Sequence, residues 1–333
     1  MAHIPQVVAE TKLSLTLQQA GLVRIYQGKV RDTYAVPDHP ELLLQVASDR
    51  LSIFDFVLPT LVKDKGAILT AMTVFWLTKV CVGINHHLIA CGWDLDHYLP
   101  SNLWDNSQLH KNALIVKKLR IVPVECIVRG YLTGSGWQDY QKSGQICGIA
   151  LPQGLHDGSK LPVPIFTPTT KAESGHDQAL KRDDVVNQYG AWLLLDSLQI
   201  YQAAAEYALK RGIIIADTKF EFGQHAVADE VLTPDSSRFW LEEDWQRAAA
   251  EKRAPQGFDK QPVREWGKTI ETSFGVTGLN KLETENPEHL AFIAALQVPE
   301  TVSDACSRRY HRIFELLTGD SLAYFQQEFM GIK

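Results

Sequence analysis

The sequence is poor in cysteine, and the positions of its few cysteines argue against a domain stabilised by disulfides or by a zinc ion. Five cysteines stand among 333 residues, an odd number, and no two of them form the C-x-x-C motif of zinc and redox sites. Their positions are Cys81, Cys91, Cys126, Cys147 and Cys306. We therefore expect reduced thiols in a cytoplasmic protein, without a disulfide framework or a zinc site.

The chain also lacks an excess of basic residues and an apolar run long enough to span a membrane. The net charge of -6 disfavours a nucleic-acid partner bound through counterion release. The N-terminal residues lack a signal-peptide pattern, and the longest apolar stretch, 67–84, is interrupted by Thr73, Thr78 and Lys79. We expect no nucleic-acid partner and no membrane insertion, whereas local basic pockets for small anions are compatible with this charge.

With 45% hydrophobic and 22% charged residues, the chain has the composition of a globular protein with a substantial core. Strand patterns dominate the first third, and a helical pattern follows that ends at Gly83. Pro123 then separates two apolar strand patterns, which marks a redirection of the chain. We predict a domain boundary there, with a small β-rich lobe over residues 1–119 and a larger lobe over residues 120–333.

The larger predicted lobe contains a long irregular segment before its helices. Residues 148–183 are polar and rich in proline, which predicts a long functional loop. A helical pattern covers residues 183–211, with Asp183 or Asp184 as the N-cap and Gly212 as the C-cap. The C-terminal tail has mostly helical patterns.

One strand pattern carries charge in an unusual arrangement. In GIIIADTKFEFG, residues 212–223, a run of isoleucines continues into Asp217, Lys219 and Glu221. Side chains alternate between faces along a strand, so these three charges lie on one face and apolar side chains on the other. Two carboxylates and a lysine on one strand face are typical of a site that holds metal ions and phosphates.

The following segment, DEVLTPDSSRFW over residues 229–240, is expected to form a hairpin with this strand. A three-residue loop would place Asp229 opposite Glu221, whereas a two- or four-residue loop would bring Glu230 opposite Lys219. Two carboxylates opposed across strands repel each other unless a cation lies between them. We therefore favour a Mg²⁺ site over a pair of solvated hairpin charges.

The turn QGKVRD, residues 27–32, has the features of a hairpin that covers phosphates. Gly28 lets the backbone approach a phosphate closely, and Lys29 and Arg31 supply positive charge. The alternative is an ordinary hairpin with solvated basic residues.

A second anion-binding pattern is VPVECIVRGYLTGSG, residues 122–136. Arg129 on a buried strand can bind a phosphate through two hydrogen bonds, and Ser135 in the turn that follows adds a hydroxyl donor. An internal ion pair between Glu125 and Arg129 is an equally good interpretation. Arg238, in the turn TPDSSR, is a further candidate for binding an anion.

Together these motifs predict an enzyme that binds a nucleoside triphosphate with Mg²⁺ and a second anionic substrate. The segment FTPTTKAESGHD, residues 166–177, adds Lys171, although a solvated surface loop is the plain interpretation of it. A small-molecule kinase and a non-catalytic nucleotide-sensing module are the alternatives. The absence of protein-kinase H-R-D and D-F-G motifs counts against the first, and the full set of charged residues against the second.

Eight segments, in this order, resemble the SAICAR synthetase family. They are GKVRD, SDRLSIFDF, KGAILT, VPVECIVRGYLTGSGW, PIFTPTTKAESGHD, IADTKFEFG, DEVLTPDSSRFW and FDKQPVREW. The resemblance runs from about Gly21 to Trp266. Within the family, the chain is similar to the longer form. It implies an α+β fold of two lobes, a small β-rich lobe like a kinase N-lobe and a larger lobe like ATP-grasp enzymes, with ATP between them.

The resemblance implies an ATP-dependent ligase of purine biosynthesis. Such an enzyme joins CAIR, a phosphorylated imidazole ribonucleotide, to L-aspartate and yields SAICAR, ADP and phosphate through an acyl-phosphate-type intermediate. The implied cofactors are ATP and Mg²⁺, the implied partners are these small molecules, and the expected assembly is a monomer or a small homo-oligomer.

The resemblance also implies roles for individual residues. The expected ATP contacts are Gly28, Lys29, Val30, Arg31, Lys117, Leu119, Lys171 and Lys219. The expected catalytic residues are Lys219, Lys171 and Asp217. The expected metal ligands are Glu221 and Asp229, with Glu230 as the alternative to Asp229. The expected substrate-binding residues are Arg129, Ser135, Arg238, Asp49 and Ser52.

Overall fold

The computed structural model describes residue 8 and residues 10–171, 177–258 and 260–332. Its strands are β1 (Arg24–Gln27), β2 (Arg31–Val36), β3 (His39–Ala47), β4 (Arg50–Ile53), β5 (Phe56–Leu61), β6 (Leu88–Cys91), β7 (Ala113–Lys117), β8 (Val124–Tyr131), β9 (Gln145–Ile146), β10 (Ile149–Ala150), β11 (Lys160–Phe166), β12 (Thr169–Thr170), β13 (Ile213–Gly223), β14 (Ala226–Ala228) and β15 (Ser237–Leu241). They form two main antiparallel sheets and two short hairpins.

The helices surround these sheets and dominate the C-terminal third, as expected. They are α1 (Lys12–Gln19), α2 (Lys65–Phe75), α3 (Ser107–Asn112), α4 (Gly134–Ser143), α5 (Arg182–Tyr189), α6 (Trp192–Leu209), α7 (Glu242–Glu251), α8 (Gln261–Thr269), α9 (Pro287–Ala294), α10 (Glu300–Thr318) and α11 (Leu322–Met330). None of these helices is both long enough and apolar enough to cross a membrane.

The first sheet has five strands in the order β1-β2-β3-β7-β6. Its strands follow the patterns of the first third of the sequence, and β2 alternates buried and partly exposed residues as a half-buried strand does. Tyr34, Leu44 and Ile115 are fully buried on its inner face, together with Leu17 of α1. This sheet and its helices form the small β-rich lobe.

The second sheet has the order β11-β8-β13-β14, with β12 paired to β8 and β15 to β13. The charged strand predicted from the sequence is β13, at the centre of this sheet. Phe220 and Phe222 are buried in the main core, which also contains residues of α6 and α10. The opposite face of β13 is therefore left for its charged side chains.

The chain passes from one sheet to the other between β7 and β8, where the sequence contains Pro123. The backbone there runs against the end of β13, and Val122 N–H donates to the carbonyl of Phe222 at 2.8 Å. Gly223 makes this approach possible, since a Cβ there would lie 2.8 Å from the carbonyl oxygen of Arg120. The domain boundary at residues 119 and 120 stays a prediction, and α2, which precedes it, shares the core of the second sheet.

Three local predictions were wrong. The segment 148–183 contains the strands β10, β11 and β12 rather than one irregular loop, and its residues 172–176 lie outside the described residues. The helix predicted over 183–211 is two helices, because the chain leaves α5 at Gly190, whose φ is +97°. The helix expected to end at Gly83 ends earlier. The α-helix α2 stops at Phe75, and a π-helical turn over Trp76–Val80 follows it.

The caps of the paired helices also differ from the prediction. Lys181 occupies the N-cap position of α5, and Asp183 and Asp184 lie in its first turn, where their charges favour the helix dipole. Lys210 is the C-cap of α6, and Gly212 follows in the turn with a φ of +70°.

Candidate active site

A cavity of about 560 Å³ lies between the two sheets. Its walls come from the turn between β1 and β2, the end of β7, the charged faces of β8 and β13, and the segment after β14. Among the described residues, its lining includes eight carboxylates and six lysine or arginine side chains. This cavity is the place where most of the predicted site residues meet.

The floor of the cavity is built by the antiparallel pairing of β8 and β13. The register places Asp217 opposite Arg129 and Lys219 opposite Ile127, so that the charged side chains of both strands share one face. Arg129 donates to Asp217 at 2.7 Å, and Lys219 pairs with Glu125. The internal Glu125–Arg129 ion pair, one interpretation of the sequence, does not form, because each residue has a partner across the strands.

The pKa values of Glu125 and Lys219 on this floor are both shifted. Burial raises the pKa of Glu125 above its ordinary value, although the charge of Lys219 opposes the shift. Burial alone would lower the pKa of Lys219, but the charge and hydrogen bond of Glu125, together with the charges of Glu221 and Glu230, outweigh it and raise that pKa. Lys219 therefore stays protonated at neutral pH and supplies a fixed positive charge to the cavity.

The glycine turn forms the roof of the cavity, with Gly28 as its tightest point. Gly28 N–H donates to the carbonyl of Arg31 at 2.7 Å, and a Cβ on Gly28 would lie 2.6 Å from that oxygen. Behind the turn, the buried Arg50 donates to the carbonyl of Gly28 at 3.2 Å and to Asp32 at 2.6 Å. The turn therefore needs a glycine for space, and a buried ion pair fixes its backbone.

The hairpin between β13 and β14 has a two-residue loop, Gln224 and His225. Both residues have a positive φ, and the register pairs Glu221 with Ala228. Asp229 therefore does not lie opposite Glu221, and β14 ends before Glu230 could pair with Lys219. The offset is the one expected for a two-residue loop.

The segment 229–233, which we call the carboxylate loop, begins where β14 ends. Its first residue, Asp229, has a φ of +58°, a strained conformation for a residue other than glycine. Arg31 from the glycine turn pairs with Asp229 and also lies 3.3 Å from Glu230. Arg31 thus joins the turn to the carboxylate loop, although the two are almost 200 residues apart in the sequence.

The two carboxylates of this loop titrate differently. Burial would raise the pKa of Asp229, but the charges of Arg31 and Lys171 outweigh it and lower the pKa to about 2. Burial raises the pKa of Glu230, and the hydroxyl of Thr233 donates to this carboxylate at 2.6 Å. The pKa values of the two neighbouring carboxylates are therefore shifted in opposite directions.

Glu221 and Asp229 line the same cavity and share a neighbour in Lys171. Lys171 pairs with Glu221, and its charge also acts on Asp229. Among the described residues, no three acidic, histidine or cysteine side chains are arranged to hold a metal ion. Two carboxylates without a third protein ligand fit Mg²⁺, which is usually bound by one or two carboxylates plus phosphate oxygens and water.

The other end of the cavity is less polar. Lys117 and Leu119, at the passage between the sheets, line it together with Val30 beside the glycine turn. His87 also lines the cavity and was not found from the sequence; its backbone carbonyl accepts from Lys117 N–H at 2.8 Å. Burial lowers the pKa of His87 to about 4, so this ring is neutral at pH 7.

Arg129, Ser135 and Arg238 come together beyond the cavity, further along the same strands. Arg129 and Arg238 both pair with Asp217, and Arg129 donates to the hydroxyl of Ser135 at 3.1 Å. Burial lowers the pKa of Arg129, and the charge of Asp217 opposes the shift. We call these four residues the arginine cluster; two cations share one carboxylate, which leaves a net positive charge.

Two glycines make room for the arginine cluster. A Cβ on Gly134 would lie 2.6 Å from the guanidinium of Arg238, and one on Gly136 would lie 3.1 Å from the side chain of Arg129. Gly134 also has a φ of +58°, which favours glycine. The motif TGSG therefore serves to bring the start of α4 against both arginines.

Asp49 and Ser52 do not lie together. The carboxylate of Asp49 accepts from Gly66 N–H at 2.9 Å, at the start of α2, and does not line the cavity. Ser52 does line it, next to Asp55, which pairs with Lys29 at 2.7 Å. Asp49 has a structural explanation as a helix cap, whereas Ser52 faces the site.

A buried network beneath the cavity was also missed. Lys65 is completely buried and donates to Asp235 at 2.6 Å, and the hydroxyl of Tyr310 donates to the same carboxylate. Asp235 and Lys260 line the cavity. Lys65 and Asp235 stand in the segments KGAILT and TPDSSR, but no spacing within either segment indicates that the two residues meet.

This fold and this cleft define the class of the protein, a two-lobed α+β nucleotide-dependent enzyme. The sequence model of the SAICAR synthetase family matches residues 24–277 of this chain. The chain therefore belongs to the SAICAR synthetase family, as the sequence resemblance predicted.

Relatives and a solved structure agree over nearly the whole chain. The phosphoribosylaminoimidazole-succinocarboxamide synthase of Methylobacillus flagellatus is 45% identical over 305 residues, covering 89% of this chain and 94% of that protein. The protein of the same name from Streptomyces coelicolor is 42% identical and covers 92% and 96%. The solved SAICAR synthase of Saccharomyces cerevisiae, complexed with SAICAR, has a TM-score of 0.75 at 32% identity and covers 95% and 99%.

Proposed function

We propose that this protein joins CAIR to L-aspartate in an ATP-dependent reaction that yields SAICAR, ADP and phosphate in purine biosynthesis. One observation carries the proposal: a single face of β8 and β13 presents both a carboxylate-rich cavity and the arginine cluster. Asp217 precedes Lys219 along β13 by two residues, which is about 7 Å in a strand. That distance suits one substrate phosphate at the arginine cluster and a reacting group beside Lys219.

In this proposal ATP lies between the glycine turn and β13. The adenine occupies the less polar end, beside Lys117 and Leu119, and the phosphates lie near Lys171 and Lys219, where positive charge is available. Gly28 lets the backbone of the turn approach them. Arg31 pairs with Asp229 of the carboxylate loop, near the phosphates in this proposal. A direct contact between Arg31 and a phosphate stays a prediction.

Glu221 and Asp229 would hold Mg²⁺, and the ion would neutralise part of the phosphate charge. Asp229 is preferred to Glu230 as the second ligand. Lys171 pairs with Glu221, and its charge also lowers the pKa of Asp229. Glu230, in contrast, accepts a hydrogen bond from Thr233 and has a raised pKa, caused first by burial.

The arginine cluster binds the ribonucleotide phosphate of CAIR. Arg129 and Arg238 carry the charge, Ser135 adds a hydroxyl at the start of α4, and Asp217 orients both guanidinium groups. Bound there, CAIR extends its carboxylate along the strands towards Lys219.

The reaction then has two steps. A carboxylate oxygen of CAIR attacks the γ-phosphorus of ATP, the bond to the β–γ bridging oxygen breaks, and ADP leaves. The amine of L-aspartate attacks the acyl-phosphate carbon, a C–N bond forms, the C–O bond to phosphate breaks, and the amine releases one proton. Lys219 neutralises charge at the reacting carboxylate, and Lys171 does so at the phosphates. The protein thus acts by positioning its substrates and by fixed charge.

We also propose a cytoplasmic enzyme that works as a monomer or a small homo-oligomer. The five cysteines, which all lie among the described residues, form no disulfide, and this suits a reducing compartment. Light scattering on the purified protein would give the number of copies.

The test of the function is ADP release with ATP–Mg²⁺, CAIR and L-aspartate, repeated with each component left out. The expected result is ADP formation that requires every component, with SAICAR as the product. ADP formed with a phosphorylated acceptor and without aspartate would establish a kinase instead. Binding of ATP without turnover would establish a sensing module.

A further inference from the structure

Helix α2 and the π-helical turn that continues it contact the segment after β14 at three places along one face. Lys65 at its start pairs with Asp235, Thr73 accepts a hydrogen bond from Val231 N–H at 3.4 Å, and Trp76 lies at the end. Positions 65, 73 and 76 fall on one face of a helix with 3.6 residues per turn. A helix from the first third of the chain therefore supports the loop that carries Asp229 and Glu230.

The contact of Trp76 is the most specific of the three. Its indole is fully buried, and Nε1 donates to the carbonyl of Leu232 at 2.9 Å. Leu232 has a φ of +53°, which is unusual for a branched, fully buried side chain. A strained residue of this kind persists only where its surroundings hold it, and here the indole holds its carbonyl.

The strained residue lies three positions from Asp229, which has a positive φ as well. Relaxation of Leu232 would rotate the peptide that follows Val231 and so change the direction of the carboxylate loop. On the other side of the loop, Arg31 of the roof pairs with Asp229 and lies 3.3 Å from Glu230. The orientation of both carboxylates therefore depends on the support beneath them.

We propose that Trp76 is a positioning residue for the carboxylate loop, which it holds through the Leu232 carbonyl so that Asp229 faces the cavity. The inference rests on the proposed function, in which Asp229 and Glu221 hold Mg²⁺. Groups that orient metal ligands typically affect metal affinity by about 10- to 100-fold. Trp76 touches none of the reactants and acts only through the backbone of the loop.

The test is Trp76→Phe, which keeps an aromatic ring in the core and removes the indole donor together with the volume of the five-membered ring, a loss that the control variant below shares. We expect the Mg²⁺ concentration for half-maximal ADP release to rise about tenfold, with the KM for CAIR unchanged. As a readout without turnover, the Mg²⁺-dependent rise of Tm in the presence of ADP should need correspondingly more Mg²⁺. An unchanged Mg²⁺ requirement in both assays would overturn the inference, even if Tm itself falls.

The matched control is Trp245→Phe. The indole of Trp245 also donates to a backbone carbonyl, that of Gly158 at 2.8 Å, but it packs against a different core cluster from the one that contains Leu232. It should lower Tm without changing the Mg²⁺ requirement. An equal change in both variants would overturn the inference by showing a general effect of the lost hydrogen bond.

A second pair of variants covers the case in which Trp76→Phe does not fold. Thr73→Val removes the acceptor of Val231 N–H, whereas Thr73→Ser keeps it. The inference expects a higher Mg²⁺ requirement for the valine variant only, and equal requirements would overturn it.

Glu221→Gln, measured in parallel, separates this inference from the proposed function. If Glu221→Gln alters the Mg²⁺ requirement and Trp76→Phe does not, only the role of Trp76 fails. If Glu221→Gln leaves the requirement unchanged, the assignment of the metal site itself fails.

Discussion

The two ends of the charged strand face differ in the sign of their net charge. The cavity end contains eight carboxylates and six cations among its described lining residues, so carboxylates are in excess. The arginine cluster contains two guanidinium groups and one carboxylate, Asp217. One end is suited to a cation with its bound phosphates, and the other to a free phosphate group, although both lie on β8 and β13.

The two ends also differ in how they are assembled. Asp217, Arg129 and Arg238 stand on three neighbouring strands, and the ladder of backbone hydrogen bonds sets their spacing. The cavity end instead joins Arg31 of the small lobe to the carboxylate loop, across the space between the sheets. We expect substitutions at the arginine cluster to act on CAIR alone, and those at the cavity end to act on ATP and Mg²⁺.

The largest expected effect is that of Glu221→Gln. The substitution keeps the shape of the side chain and removes one of the two carboxylates proposed to hold Mg²⁺. We expect kcat/KM for ATP–Mg²⁺ to fall about 100-fold and the KM for CAIR to stay within about twofold. Steady-state kinetics with each substrate varied in turn would measure both. A comparable rise in the KM for CAIR would show that the two ends are not separate.

Arg238→Gln is the corresponding change at the other end, with a smaller expected effect. It removes one of two cations and leaves Arg129 in place beside Asp217. We expect the KM for CAIR to rise about tenfold, equivalent to about 1.4 kcal/mol, with the Mg²⁺ requirement unchanged. The assignment of the cluster to the ribonucleotide phosphate would be wrong if CAIR binding were unaffected.

The pH dependence of stability should reveal the ion pair of the cavity end. The pKa of Asp229 is lowered to about 2, so its stabilising effect is complete above the unfolded value, about 3.9, and is lost as the pH falls towards 2. Asp229→Asn should therefore lose stability less steeply than the parent protein between about pH 4 and pH 2. Urea unfolding at several pH values would measure the two slopes, and equal slopes would contradict the proposed effect of Arg31 on Asp229.

The smallest expected effect separates backbone strain from crowding at the arginine cluster. Gly134→Ala adds a Cβ at a φ of +58° and 2.6 Å from the guanidinium of Arg238, whereas Gly144→Ala adds one at a φ of +70° with nothing within 4 Å. Both variants should lose about 1 kcal/mol of stability from backbone strain. Only Gly134→Ala should also raise the KM for CAIR, by about threefold, because Arg238 has to move. Equal values of KM would mean that Arg238 adjusts at no cost.

Much of the floor of the site could be predicted because a strand places alternate residues on one face. Asp217, Lys219 and Glu221 share a face wherever β13 lies, and the sequence alone implies this. The partners of these residues could not be predicted in the same way. Glu125 and Arg129 also share a strand face, and only the register with β13 decides that they pair with Lys219 and Asp217 rather than with each other.

Loop geometry was the other limit. The two-residue turn at Gln224 and His225 decides the register of β14, and a sequence without a glycine there does not indicate the positive φ at both positions. Similarly, the helical pattern of residues 183–211 does not reveal that Gly190 ends the first helix, since glycine is tolerated inside helices at a modest cost.

The sequence by itself determined the strand patterns, the glycine turn, the charged face of β13 and, through eight ordered segments, the family. These features depend on neighbouring residues, whose geometry is set by the period of a strand or a turn. Tertiary structure alone decided that Arg31 meets Asp229, that Lys65 meets Asp235 and that Trp76 lies beneath Leu232. Such contacts join residues more than 150 positions apart, and no local pattern encodes them, because they arise only when the two sheets and α2 pack around a common core.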